Sequence, residues 1–142
     1  MSPPDRPPFH IALAVRDLET SRDFYGRLLA CREGRSASTW VDFDFFGHQL
    51  VCHCAPGGDR PPHRQLVDGT EVPVPHCGVV LSMDRWNALA DVFRAEGYPF
   101  AVSPRLRFAG KPGEQGTFFV EDPSGNLLEF KGFSDSSQLF ER

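Results

Sequence analysis

The sequence predicts an α+β fold in which one unit, made of a strand, a helix and then two or three antiparallel strands, occurs twice. Three observations indicate this fold: several short segments alternate apolar and polar residues, two longer segments have helical spacing, and the same order of elements recurs in both halves. The 142 residues suit one compact domain. Because each half alone would bury little apolar surface, we expect 1–142 to form a single domain of two modules, about 9–54 and 75–133, with a Gly/Pro-rich linker at 55–74.

The first module begins with a strand and a helix. "FHIALAV" (9–15) alternates like a strand, and "DLETSRDFYGRLLA" (17–30) has an apolar helical side with Asp17 as the N-cap. "STWVDFDFF" and "HQLVCHCA" are two further strands, which we expect to be joined by a tight turn at Gly47 and His48. "APGGDRPPHRQLVDGTEVP" (55–73) is rich in Gly and Pro, and this composition predicts a connection without regular structure.

The second module repeats this order. "HCGVVLS" predicts a strand and "DRWNALADVFRAEG" a helix that ends at Gly97. A strand near 99–103 and a Gly/Pro loop come next. "TFFVE" and "NLLEFKGF" then form a hairpin around the turn "DPSG".

The bulk composition excludes several classes of partner. A net charge of −4 with scattered Lys and Arg lacks the basic patch that nucleic-acid binding needs. No segment approaches the roughly 20 apolar residues of a membrane span, and the N-terminus lacks the apolar core of a signal peptide. We therefore expect a cytoplasmic protein with a small-molecule substrate, no membrane partner and reduced cysteines. "CHC" (52–54) has C-x-C rather than C-x-x-C spacing, so a strand is favoured there over a zinc site.

Strand alternation places two histidines and one carboxylate on the side of the strands away from the helices. His10 is first in the first strand, and His76 is first in the strand that opens the second module. Both share a side with small residues, whereas bulky aliphatic residues form the side expected to receive a helix. In the last strand Leu128 and Phe130 form the helix side, and Glu129 lies on the opposite side.

Two imidazoles and one carboxylate are the ligand set of an open metal site with positions left for water, dioxygen or substrate. The alternative is that each histidine is an ordinary hydrogen-bonded strand residue. The symmetric placement of His10 and His76, with Glu129 on the same side, favours the metal site.

The segments "HIALAVRDLETSRDFYGRLL", "HCGVVLS" and above all "FFVEDPSGNLLEF" resemble the vicinal oxygen chelate superfamily, which includes glyoxalase I, fosfomycin-resistance transferases, extradiol dioxygenases and bleomycin-resistance proteins. The resemblance covers roughly 9–133. It implies a cupped mixed sheet with helices on its convex face around a divalent metal, and the metal ligands it implies are His10, His76 and Glu129. Fe(II) or Mn(II) is favoured, with zinc or nickel as other choices.

The resemblance also implies a homodimer and leaves open whether the three ligands come from one chain or from two. Glyoxalase I-type members usually add a fourth ligand, a carboxylate in the last strand of the first module. Aligning "GHQLV" with "GNLLE" places Val51 there, which favours a two-His, one-Glu site. The leading hypothesis is an extradiol-type dioxygenase acting on a catechol-like substrate. A lyase, isomerase or thiol transferase of the same superfamily, or a metal-free drug-binding protein, is the alternative.

Other side chains are expected to line the cup. A turn at Gly47 and His48 would pair Phe46 with Gln49, Asp44 with Val51 and Asp42 with His53. His53 is the candidate acid–base group, held by Asp42. The candidate substrate-binding residues are Gln49, Asp42, Asp44, Phe119 and Arg107, with Arg105 and Lys111 near an anionic substrate.

Overall fold

A computed structural model of the protein describes residues 6–54, 63–67 and 70–140. The chain divides into two compact units, 1–60 and 61–142. The fold class is α+β, as predicted, with a four-stranded mixed sheet in each unit. The longest described helix has 13 residues, and none in the described part of the chain is long and apolar enough to cross a membrane.

The first unit is a four-stranded sheet with one helical segment. Its strand order is β1-β4-β3-β2, and β1 and β4 are parallel. The Asp17 carboxylate caps helix α1 by accepting from the amides of Glu19 at 2.6 Å and Thr20 at 3.3 Å, so the predicted N-cap is confirmed. The elements are β1 (His10–Val15), α1 (Leu18–Ser21) with its π-helical continuation (Arg22–Leu28), β2 (Arg32–Ser36), β3 (Trp40–Phe45) and β4 (His48–Cys54).

The hairpin between β3 and β4 turns one residue earlier than predicted. Phe46 and Gly47 are the two turn residues, with φ of 53° and 87°, and positive φ at both positions is the feature of a type I′ turn. The predicted pairing of β3 with β4 is therefore wrong by two residues. In the structure Asp44 pairs with Gln49, Asp42 with Val51 and Trp40 with His53. A shift of two residues keeps every side chain on its predicted face.

The second unit contains a hairpin and a second four-stranded sheet, in the order β7-β10-β9-β8 with β7 and β10 parallel. The predicted pairing of Phe119 with Glu129 and of Thr117 with Lys131 is confirmed. Gly97 follows the end of α2 with a φ of 65°, as a helix stop does. The elements are β5 (His63–Val67), β6 (Thr70–Val74), β7 (Cys77–Ser82), α2 (Met83–Ala95), β8 (Val102–Arg107), β9 (Gln115–Glu121), β10 (Leu127–Phe133) and a 3-10 turn (Ser136–Gln138).

Three strand predictions need correction. The connection 55–73 was expected to lack regular structure, but β5 and most of β6 lie within it. The strand expected near 99–103 is β8, which begins at Val102. Strand β2 was not predicted, because its sequence "REGRS" is fully polar and every residue in it is exposed.

Each unit has its own aromatic core on the helix side of its sheet. In the second unit the Trp86 indole lies against Gly116 and Gly132, where an added Cβ would come within 2.7 and 2.5 Å of indole atoms. Its Nε1 donates to the Phe130 carbonyl at 2.9 Å. The paired glycines of β9 and β10 thus leave space for the indole of Trp86, which packs α2 against the sheet.

The core of the first unit includes a thiol whose acidity is suppressed. Burial, and to a lesser extent the nearby Asp44 carboxylate, raises the pKa of Cys31 from 9.0 to about 12. The folded state thus holds this proton more tightly than the unfolded chain.

We therefore expect stability to fall as pH rises from 9 towards 12, because the unfolded chain loses the Cys31 proton first. The loss at this site should be about 1 kcal/mol per pH unit and absent below pH 9. Denaturant unfolding of wild type and Cys31→Ala at pH 8 and pH 10.5 measures it. The difference in free energy of unfolding between the two proteins should shrink at the higher pH, and an unchanged difference would contradict the assignment.

Candidate metal-binding residues

In the second unit, His76 and Glu129 place a nitrogen and an oxygen side by side. His76 directly precedes β7, and Glu129 lies at the centre of β10, the strand between β7 and β9. The distance from His76 Nε2 to Glu129 Oε1 is 3.2 Å, and the side chains are 25% and 13% exposed. Two ligands that each lie about 2.1 Å from one ion are about 3 Å apart. The spacing of these two atoms is therefore compatible with their binding one ion.

The second oxygen of Glu129 is held by a buried threonine. The Thr117 hydroxyl donates to Glu129 Oε2 at 2.6 Å, and Thr117 is 1% exposed. Glu129 Oε2 is thereby hydrogen-bonded to a residue of β9, while Oε1 faces His76. Alternation and the hairpin register place Thr117 on the face of Glu129, so the sequence contained the signal for this contact, although it was not predicted.

Apolar side chains lie beside this pair. The His76 ring meets Phe119 edge to face, with centroids 5.1 Å apart. Phe119 and Leu127, 3% and 4% exposed, form a small cluster with Val102. The structure thus places Phe119 next to a predicted ligand as an apolar wall. Its role in binding substrate stays a prediction.

Replacing Thr117 with valine should weaken metal binding by about 10-fold, because Glu129 would lose the donor that fixes its orientation. Valine has nearly the same shape, so the packing is conserved. Competition of the protein with a chelator for Mn(II) measures the affinity. Thr117→Ser, which keeps the hydroxyl, is the matched control and should retain near wild-type affinity; equal losses in both variants would indicate a packing effect instead.

In the first unit, His10 is held by its neighbour on β4. His10 Nδ1 lies 2.8 Å from Gln49 Oε1, and Gln49 Nε2 donates to Asp42 Oδ2 at 3.1 Å. His10 is exposed and Asp42 is half-buried. The structure thus brings together one predicted ligand and two predicted substrate-binding residues.

The two units can be compared by counting from each histidine. The residue two after His10 is Ala12, which pairs with Val51, and the residue two after His76 is Gly78, which pairs with Glu129. Val51 therefore occupies the place in the first unit that Glu129 occupies in the second. It is 5% exposed and offers no ligand atom, in agreement with the alignment of "GHQLV" with "GNLLE".

The remaining candidates lie on strands β3, β4 and β8 and in the loop after β8. His53 is exposed on β4 and pairs with Trp40, not with Asp42 as predicted. The Asp44 carboxylate accepts from the Gly47 amide at 2.8 Å and thereby supports the turn. Arg107 is in β8, with its guanidinium 5.1 Å from the Phe108 ring centroid, and Arg105 shares that strand. Lys111 is exposed in the loop that follows. Catalytic and substrate-binding roles for these residues stay predictions.

The described residues of neither unit bring three His, Cys, Asp or Glu side chains together as a metal-binding group. Of the three predicted ligands, the second unit contains His76 and Glu129, and the first unit contains His10.

The repeated βαβββ order and the histidine–glutamate pair define a protein of the vicinal oxygen chelate class. The chain belongs to the Glyoxalase/Bleomycin resistance protein/Dioxygenase superfamily, whose family model matches residues 8–130. No curated protein sequence is similar enough to count as a match.

Solved structures of the same superfamily resemble the chain over nearly its whole length. A glyoxalase/bleomycin resistance protein/dioxygenase from Alicyclobacillus acidocaldarius is 34% identical, with a TM-score of 0.77 and coverage of 99% of this chain and 100% of that one. The fosfomycin resistance protein FosX from Listeria monocytogenes is 17% identical, with a TM-score of 0.69 and coverage of 94% and 97%. Lactoylglutathione lyase from Agrobacterium tumefaciens is 17% identical, with a TM-score of 0.62 and coverage of 92% and 95%. The last two likenesses show the fold alone.

Proposed function

We propose that this protein is a metal-dependent enzyme, an extradiol-type dioxygenase that cleaves a small catechol-like substrate. His10, His76 and Glu129 would hold the ion, with Fe(II) or Mn(II) favoured over zinc or nickel. The observation that carries the proposal is the 3.2 Å separation of His76 Nε2 and Glu129 Oε1. The ligands come either from one chain or from two copies in a homodimer. Both the homodimer and a cytoplasmic location stay predictions.

The residues present suit such an ion. Two imidazoles and one carboxylate give one negative charge and leave several positions open, which an ion needs in order to take two adjacent substrate oxygens. When bound, a divalent ion favours loss of a proton from a substrate hydroxyl and stabilises the resulting negative charge.

The chain's own residues would orient the substrate and exclude water. Phe119 and Leu127 offer an apolar surface beside the ligands, suited to an aromatic ring. Thr117 donates to one oxygen of Glu129 and so orients the carboxylate with its other oxygen towards His76, where the ion would bind. His53 is the candidate to accept a substrate proton, and Arg107 the candidate to meet an anionic substituent.

Val51 favours this proposal over a glyoxalase-type reaction. The site then has three protein ligands and not four, because a buried valine stands where a fourth carboxylate would lie. A thiol transfer to an epoxide uses the same three ligands and is the second candidate. A metal-free drug-binding protein is the third, and the His76–Glu129 contact speaks against it because such a protein needs no ligand pair.

Elemental analysis of protein purified without chelator, followed by oxygen-uptake assays on a panel of catechols, tests the proposal. We expect about one equivalent of iron or manganese per chain and oxygen consumption with at least one catechol. His76→Ala should lose both, whereas His48→Ala, which alters the contact of His48 Nδ1 with the Phe9 amide, should keep the metal.

The other outcomes separate the alternatives. A metal-containing protein that consumes no oxygen but joins a thiol to an epoxide would support the transferase. A metal-free protein that binds aromatic drugs would support the drug-binding protein, and either result would refute the dioxygenase.

A further inference from the structure

The hydrogen bonds around Gln49 determine which nitrogen of His10 carries the proton. Gln49 is a primary amide, with an NH₂ group that only donates and a carbonyl oxygen that only accepts. It contacts Asp42 with one end and His10 with the other, at 3.1 and 2.8 Å. The chemistry of Asp42 determines whether the NH₂ group or the carbonyl oxygen of Gln49 faces it.

An ionised carboxylate can only accept hydrogen bonds, so the Gln49 nitrogen must face Asp42. The Gln49 oxygen then faces His10, and the His10 nitrogen opposite it must be the donor. This assignment follows from the partners and does not depend on how amide oxygen and nitrogen are distinguished. In the neutral ring this places the His10 proton on Nδ1 and the lone pair on Nε2.

We infer that Asp42 and Gln49 are positioning residues that hold His10 in the Nδ1–H tautomer and so prepare Nε2 to bind a metal. A neutral imidazole in water favours the opposite tautomer, in which Nε2 carries the proton and cannot ligate. Histidine ligands in metal sites commonly have their other ring nitrogen held in this way. The metal-binding part of the inference rests on the proposed function, whereas the tautomer does not.

Two features make the contacts of His10 with Gln49 and of Gln49 with Asp42 specific to the first unit. His76 has a different arrangement, with its Nε2 beside the Glu129 carboxylate. Asp42 pairs with Val51, as Phe119 pairs with Glu129 in the second unit, so a carboxylate in one unit replaces a phenyl ring in the other. The first unit thus has an acid near its histidine, but that acid already accepts from Gln49.

The test is a two-bond ¹H–¹⁵N correlation spectrum of ¹⁵N-histidine-labelled, metal-free full-length protein. In wild type, the His10 signals should show a proton on Nδ1. Gln49→Leu removes the acceptor and should shift His10 towards the Nε2–H form. Asp42→Asn, in which the partner no longer has to accept, should give a mixture. Gln49 is exposed and Asp42 is half-buried, so folding should be preserved in both variants.

Asp44→Asn is the matched control, because Asp44 lies two residues along the same strand and the change removes the same charge without touching the Gln49 side-chain contacts. It should leave the tautomer unchanged. A wild-type His10 with its proton on Nε2, or a tautomer that no variant alters, would overturn the inference.

Mn(II) affinity, measured by competition with a chelator, is the second readout. Gln49→Leu should weaken it about 10-fold and Asp44→Asn less than 2-fold. If wild type has the Nδ1–H tautomer but binds no metal, the proposed function fails while the positioning of His10 stands. If wild type binds metal and Gln49→Leu binds it equally well, the positioning role fails while the proposed function stands.

Discussion

Glu129→Gln is expected to lower metal affinity by at least about 100-fold while leaving the fold intact. The substitution removes the only negative charge among the three proposed ligands and replaces it with a neutral amide, which binds divalent ions weakly. The shape is conserved, and the amide oxygen can still accept from the Thr117 hydroxyl, now at 2.6 Å from the carboxylate. The loss should therefore appear in metal binding and not in packing.

The unfolding of the metal-free proteins separates these two effects. The Glu129 side chain is 13% exposed, so a change of its packing would appear in the stability of the metal-free protein. Because glutamine keeps the shape and the acceptor for Thr117, the free energy of unfolding of metal-free protein should change by less than about 1 kcal/mol. The stabilisation that added Mn(II) gives to wild type, seen as a rise in melting temperature, should be absent in Glu129→Gln.

Glu121→Gln is the control for Glu129→Gln, since Glu121 is an exposed glutamate at the end of the neighbouring strand β9. It should bind Mn(II) as wild type does. If Glu129→Gln kept a full equivalent of metal with wild-type affinity, Glu129 would not be a ligand and the proposed site would be wrong.

The faces of the strands could be predicted from sequence because alternation depends only on the backbone. His10, His76 and Glu129 were assigned to the side away from the helices, and the buried residues Leu128 and Phe130 lie on the other. The second hairpin was predicted in register because "DPSG" leaves little choice of turn.

Where the prediction failed, the local sequence lacked the signal. In the first hairpin Gly47 suggested that the turn begins there, since a glycine at the first turn position is common, but the turn begins at Phe46, which adopts a positive φ as Gly47 does. Strand β2 is held by backbone pairing to β3 and has no apolar face to reveal it. The His10–Gln49–Asp42 contacts depend on the true register, which the sequence had placed two residues away.

Gly78→Ala is expected to destabilise the second unit by about 3 kcal/mol and to remove metal binding as well. Gly78 pairs with Glu129 across β7 and β10. An added Cβ would collide with the Glu129 carbonyl oxygen and come within 2.6 Å of its carbonyl carbon. Because these are backbone atoms, no side-chain rotation relieves the overlap, and the two strands must move apart.

Separation of β7 and β10 also changes the ligands, because Glu129 is on one of these strands and His76 directly precedes the other. The 3.2 Å contact between them should lengthen. Gly78→Ala should therefore lose Mn(II) binding even below its melting temperature, a result that simple destabilisation would not give. Denaturant unfolding and chelator competition, both at 15 °C, measure the two effects.

Val80→Ala is the matched control, because Val80 lies two residues along β7 on the same face and is 38% exposed. It should lose less than about 1 kcal/mol and keep its metal. The first unit shows that the close approach is particular to Gly78: the corresponding residue is Ala12, where a methyl group is present opposite Val51. A stable Gly78→Ala protein with wild-type affinity would mean that β7 and β10 do not approach as closely as the collision requires, and that the position of Glu129 does not depend on a glycine beside it.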